Sequence, residues 1–174
     1  MDRQALVKKW TPSPLTLILL GLIAWLWFRP PAEVSDENLA TPPWQVTLTD
    51  GRVLTSEMLK GKVVLVNFWA TSCPGCIKEM PDLVKTWQKY HSRGLETIAV
   101  AMSYDPPEYV LQFAEKNGLP FIVAPDAGGA VAQAFGNVRV TPTTFVIDKQ
   151  GQIIQQYVGE PDFTQLHTLI ESAL

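Results

Sequence analysis

The sequence predicts an α/β domain built on a central mixed β-sheet flanked by helices, carried behind one N-terminal transmembrane helix. Three observations predict this. Two continuous apolar runs, 62–69 and 95–102, read as strands covered on both faces. Helical segments alternate with them, and an antiparallel hairpin plus a helix close the chain. Residues 10–28, WTPSPLTLILLGLIAWLWF, are 19 residues without a charge.

The apolar stretch comes first in the chain. As a helix it covers roughly 28 Å, against about 30 Å of hydrocarbon in a bilayer. Its two prolines, Pro12 and Pro14, stand at the start, where a helix tolerates them. Trp10 at one end and Trp25 and Trp27 at the other are placed as interfacial aromatics. Arg3, Lys8 and Lys9 precede the stretch, while Glu33, Asp36 and Glu37 soon follow it. The positive-inside rule then leaves residues 1–9 in the cytoplasm and exports the rest. A cleaved signal peptide is the competing reading, but Phe28-Arg29-Pro30-Pro31 is no small-x-small cleavage site. Either way, in a bacterium the bulk of the chain faces the periplasm or the outer side of the inner membrane.

Residues 29–43 are rich in proline and acidic residues and read as a tether. The globular domain is expected over 44–174, a common domain size. Within it, Asp50-Gly51 between short apolar runs signals a hairpin. Strand 62–69 leads into a helix from Pro74 to His91. Strand 95–102 leads into a helix from Pro107 to Asn117, stopped by Gly118. An inserted α-β segment brings a short strand at 121–124 and a short helix over 130–135, which the Gly128-Gly129 pair starts. Strands at 143–148 and 152–159 form a hairpin, and Asp162 caps the last helix, to about Ala173.

Composition narrows the function. The hydrophobic share is 47% and the net charge −3, so the chain can bury a core and is not built to bind nucleic acid. From Pro30 on there are 10 Lys and Arg against 16 Asp and Glu, an acidic, well-solvated domain. Two cysteines make neither a disulfide scaffold nor a Cys₄ zinc site. His91 and His167 are isolated and read as helix-surface residues; no metal site and no cofactor is expected. No heptad run suggests a dimer, so a monomer is expected.

The chemistry gathers at Cys73-Pro74-Gly75-Cys76, which follows a buried strand and opens a helix. Free N–H groups and the positive end of the helix dipole favour a thiolate at Cys73, the expected nucleophile. Cys76, nearly one turn on, is placed to resolve a mixed disulfide. Pro74 fits the first helical position, and Gly75 loosens the first turn. Pro81, inside the same helix, predicts a kink. Glu79 lies three residues after Cys76 on the same side, either as a proton acceptor or as a plain helix glutamate. Trp69 is expected with Pro74 and Gly75 to contact the substrate beside the cysteines, the alternative for Trp69 being a role in the core alone. Tyr104-Asp105-Pro106-Pro107 is a rigid loop that either borders a cleft or simply begins a helix.

The segment Val66-Asn67-Phe68-Trp69-Ala70-Thr71-Ser72-Cys73-Pro74-Gly75-Cys76 resembles the active-site strand and loop of the thioredoxin superfamily. With Ile77-Lys78-Glu79-Met80-Pro81, the insertion and the anchor, it is similar to the membrane-tethered TlpA/ResA-like thiol-disulfide oxidoreductases, over roughly 44–174. The resemblance implies a thioredoxin-like fold and an extracytoplasmic enzyme that reduces disulfides of target proteins, for example in cytochrome c maturation. It implies recharging by a membrane electron-donor protein. It also implies a cis bond at Thr141-Pro142 facing the cysteines, with Thr141 beside an extended substrate segment, and a glutamate role for Glu79 in proton transfer or pKa tuning. The chain departs from thioredoxins in three places. Asn67 stands where they carry a buried aspartate, Ser72 where they carry tryptophan, and Pro-Gly where they carry Gly-Pro. A disulfide oxidant or isomerase uses the same residues. A Cu(I)-binding metallochaperone would resemble C-x-x-x-C with a distal histidine, which this chain lacks, and Ile77 instead of His argues against haem attachment.

Overall fold

In the computed structural model the middle strand of the five-stranded sheet is β3, Val63–Trp69, whose seven residues are all buried. The structure describes Pro14 and residues 41–174 other than Thr49. The chain divides into two units, Met1–Glu37 and Asn38–Leu174, and the elements described here lie in the second. Among the described residues no helix is long and apolar enough to cross a membrane. The expected anchor, apart from Pro14, lies outside them.

β1 (Gln45–Thr47) and β2 (Val53–Thr55) form the expected hairpin around Gly51, whose φ of 83° suits glycine. After β3 come α1 (Pro74–Tyr90), β4 (Leu95–Ala101), α2 (Pro107–Lys116), β5 (Ile122–Pro125) and α3 (Ala130–Ala134). The chain closes with β6 (Thr143–Ile147), β7 (Ile153–Val158) and α4 (Phe163–Ala173). The sheet order is β5-β4-β3-β6-β7; β3, β4 and β5 run parallel, and β6 and β7 are antiparallel additions. Asp162 caps α4 as expected, its carboxylate accepting from the N–H groups of Thr164 and Gln165.

Strand parity decides what each face buries. Val64, Val66 and Phe68 point into a cluster with Trp44, Leu54 and Phe135, under the β1–β2 hairpin and α3. Val63, Leu65 and Trp69 point the other way, toward α1, α2 and α4. Asn67 shares that parity and therefore lies beneath α1. Each fully buried aliphatic or aromatic side chain here contributes about 1.5–3 kcal/mol, so both faces are needed to hold the sheet.

The helix α1 runs as one element of 17 residues through Pro81, so the kink expected there does not divide it. Ordered contacts reach back past the expected boundary at Trp44, because the Thr41 N–H donates to the Gly151 carbonyl at 3.0 Å. Only His91 is exposed as expected, stacked on Trp87 at 4.1 Å. His167 is instead half-buried between α4 and α1, 2.9 Å from the Thr86 hydroxyl. Burial first, and then Lys89, hold its pKa below the ordinary histidine value.

Candidate active site

Parallel strands carry their loops to one end of a sheet, and here the C-terminal ends of β3 and β4 meet the N-terminal end of β6. Cys73 follows β3 as the N-cap of α1, and its sulfur accepts from the Cys76 N–H at 3.2 Å. Pro74 occupies the first helical turn and is exposed. The structure holds Cys73 and Cys76 as a disulfide. The two sulfurs are not equivalent: Cys73 is half-buried, whereas Cys76 is 0% exposed.

Trp69 is fully buried with Cys76, Met80 and Leu83, and Cys73 packs against the same cluster. Its ring lies 5.2 Å from that of Phe113. It therefore offers no surface to a substrate, contrary to the contact role expected of it, and forms the floor beneath the disulfide.

The Thr141–Pro142 peptide bond is cis. Pro142 stands directly over the start of α1, since a Cβ on Gly75 would lie 3.5 Å from its Cδ. A side chain at position 75 would therefore sit in van der Waals contact with the proline ring. Gly159 N–H donates to the Pro142 carbonyl at 2.8 Å, which ties this loop to the end of β7.

Glu79 is wholly buried on the inner face of α1. One of its oxygens accepts from the Asn67 amide at 2.8 Å, and the same amide donates to the Thr144 hydroxyl at 2.9 Å. Asn67 and Thr144 are directly opposed across β3 and β6. Among the described residues the second Glu79 oxygen has no hydrogen-bond partner. Burial pushes the Glu79 carboxyl up to about 7; the Asn67 bond opposes this, and the charge of Glu160 adds to it. Glu160 itself pairs with the Lys78 ammonium at 2.7 Å. An amide thus stands on the strand at Asn67, and the buried acid it meets is Glu79 on the helix.

A further carboxylate shapes the loop before the cysteines. Asp105, 5% exposed, accepts from both the N–H and the hydroxyl of Thr71, each at 2.6 Å. Its neighbour Tyr104 brings its hydroxyl to 3.4 Å from that of Thr141. The sequence marks this loop but neither contact, and it gives no sign of a site role for Thr144, which the register places opposite Asn67.

A disulfide at a helix N-terminus, a cis-proline loop against it and a buried acid below are the parts of a dithiol exchanger. Residues 36–170 match the Redoxin family. The chain belongs to the Redoxin family. A relative named thiol-disulfide oxidoreductase ResA, from Bacillus thuringiensis subsp. konkukian, is 32% identical over 160 residues, 90% of this chain and 91% of that one. The ResA protein of Halalkalibacterium halodurans is 37% identical over 63% of this chain and 61% of its own. A candidate thioredoxin from Neisseria meningitidis superposes with a TM-score of 0.73 at 43% identity, covering 79% of this chain and 91% of its own. A thioredoxin family thiol:disulfide interchange protein from Chlorobium tepidum gives 0.71 at 28%, covering 79% and 97%. This redoxin is accordingly a TlpA/ResA-like protein-disulfide oxidoreductase of the thioredoxin superfamily, with a disulfide-bearing protein as its target.

Proposed function

We propose that this redoxin is tethered to the bacterial inner membrane, works outside the cytoplasm and reduces disulfides in target proteins, in the manner the ResA name suggests for cytochrome c maturation. The observation that carries the assignment of roles is the difference in exposure between the two sulfurs. Once the pair is reduced, only Cys73 is open to a partner, and the helix N-terminus favours its thiolate. That thiolate attacks one sulfur of the target disulfide, forming a Cys73–target bond and expelling the other target sulfur as a thiolate. Glu79 then takes the proton of the Cys76 thiol. The Cys76 thiolate attacks the Cys73 sulfur, releases the second target thiolate and closes the Cys73–Cys76 disulfide. Two electrons pass to the target, whose thiolates take up two protons. A membrane electron-donor protein returns the pair to the dithiol. Thr141 and Pro142 hold the target segment beside Cys73.

Two measurements test this. Cys76→Ser traps targets as mixed disulfides through Cys73, which non-reducing gels resolve; no trapped species means the roles are wrongly assigned. Equilibration against a thiol buffer gives the potential of the pair. A value well below about −200 mV supports a reductant, whereas one near about −120 mV makes it a disulfide donor.

A further inference from the structure

The loop between β4 and α2 joins both halves of the site. Asp105, almost wholly buried, holds Thr71 at two points, 34 residues away in the chain and two before Cys73. Buried carboxylates that are hydrogen-bonded by donors on one residue fix the position of that residue. The Cys73 N–H in turn donates to the Ala70 carbonyl at 3.1 Å, so the turn that Asp105 anchors is the turn that presents the nucleophile. The next residue back, Tyr104, reaches across to Thr141, beside the proline that covers Gly75. Tyr104 is nevertheless 59% exposed, and Val140, on the cis-proline loop, is 56% exposed. A large ring held at its polar tip and bare on its face is the kind of group that carries binding energy at interfaces.

We propose that Tyr104 is a specificity-determining residue, which with Val140 selects extended segments carrying an apolar side chain next to the reactive cysteine, and that Asp105 is the positioning residue that holds this wall against the cysteine loop. A target strand lying beside Thr141 must pass the Tyr104 ring. An apolar neighbour of its cysteine covers that ring, and a carboxylate there is stripped of water with no cation among the named wall residues to receive it. The inference rests on the exchange reaction proposed above and deepens it.

The test uses the reduced full-length protein and three probes: glutathione disulfide, a peptide disulfide with Leu beside the cysteine, and the same peptide with Asp. The Leu peptide is expected to react about tenfold faster than the Asp peptide, and Tyr104→Ala to erase most of that preference. Asp105→Asn and Thr71→Val reduce the preference in step, while Thr71→Ser, which keeps both bonds, retains it; Thr71→Val carries the test if Asp105→Asn does not fold. Equal rates for the two peptides in the wild type, or an unchanged preference in Tyr104→Ala, overturn the inference alone while glutathione disulfide still reacts. No reaction with any of the three overturns the exchange chemistry and this inference with it.

Discussion

Two buried carboxylates on opposite sides of the sheet are treated in opposite ways. Asp126, at the end of β5, is 4% exposed and accepts from the N–H groups of Val131 and Ala132 at 3.2 and 2.9 Å. Both of its oxygens are used, and it fixes the start of α3 against the sheet. Glu79 is buried more deeply, accepts one amide bond and leaves an oxygen without a partner among the described residues. The first arrangement satisfies both oxygens and holds structure. The second makes the anion costly, which suits the proton-accepting role proposed for Glu79. Burial alone does not set the two apart; the use made of their oxygens does.

The largest expected effect comes from Glu79. An unfolded glutamate ionises near 4.5, whereas the folded one keeps its proton to about 7. Between those values the folded state binds more protons, so stability falls as pH rises, by about 3 kcal/mol in all. Denaturant unfolding of the oxidised protein at pH 4.5 and 8 reads this loss. Glu79→Gln, which still accepts from Asn67, removes it, and in the reduced protein it slows release of the mixed disulfide. If the variant retains the wild-type pH dependence, the contrast with Asp126 collapses.

Asp126→Ala is expected to cost about 2 kcal/mol, because two buried N–H groups lose their acceptor. Denaturant unfolding reads this loss; an unchanged midpoint would mean that Asp126 does not hold the start of α3. Asn67→Ala is the next test: Glu79 loses its amide donor, and its titration, followed by carboxyl ¹³C NMR, moves above the wild-type midpoint. The smallest effect is Glu160→Gln, which removes a nearby negative charge and lowers the same midpoint slightly; a midpoint that stays or rises would show that Glu160 does not act on Glu79.

Much of this was legible in the amino-acid order. The runs at 62–69 and 95–102 announced strands covered on both faces, and β3 and β4 fall within one residue of those bounds. The Cys-x-x-Cys at a strand-to-helix junction located the site. Local patterns stopped where contacts span the chain. Nothing near Asp105 shows that it binds Thr71, nor anything near Trp69 that it lies wholly under the disulfide. The burial of Glu79 was equally hidden: a glutamate three residues after a cysteine reads the same whether its helix face meets water or a sheet, and only the Asn67–Thr144 pair beneath it settles which.

The concealment of Cys76 also bears on how long the catalyst lasts. A peroxide that reaches the reduced molecule meets Cys73 and converts its thiolate to a sulfenic acid. Three residues away, the shielded Cys76 thiol condenses with it, water leaves, and the disulfide forms before harsher, irreversible oxidation can follow. Oxidative injury thus ends in the same species as ordinary turnover, so whatever reduces the Cys73–Cys76 disulfide also repairs the damage.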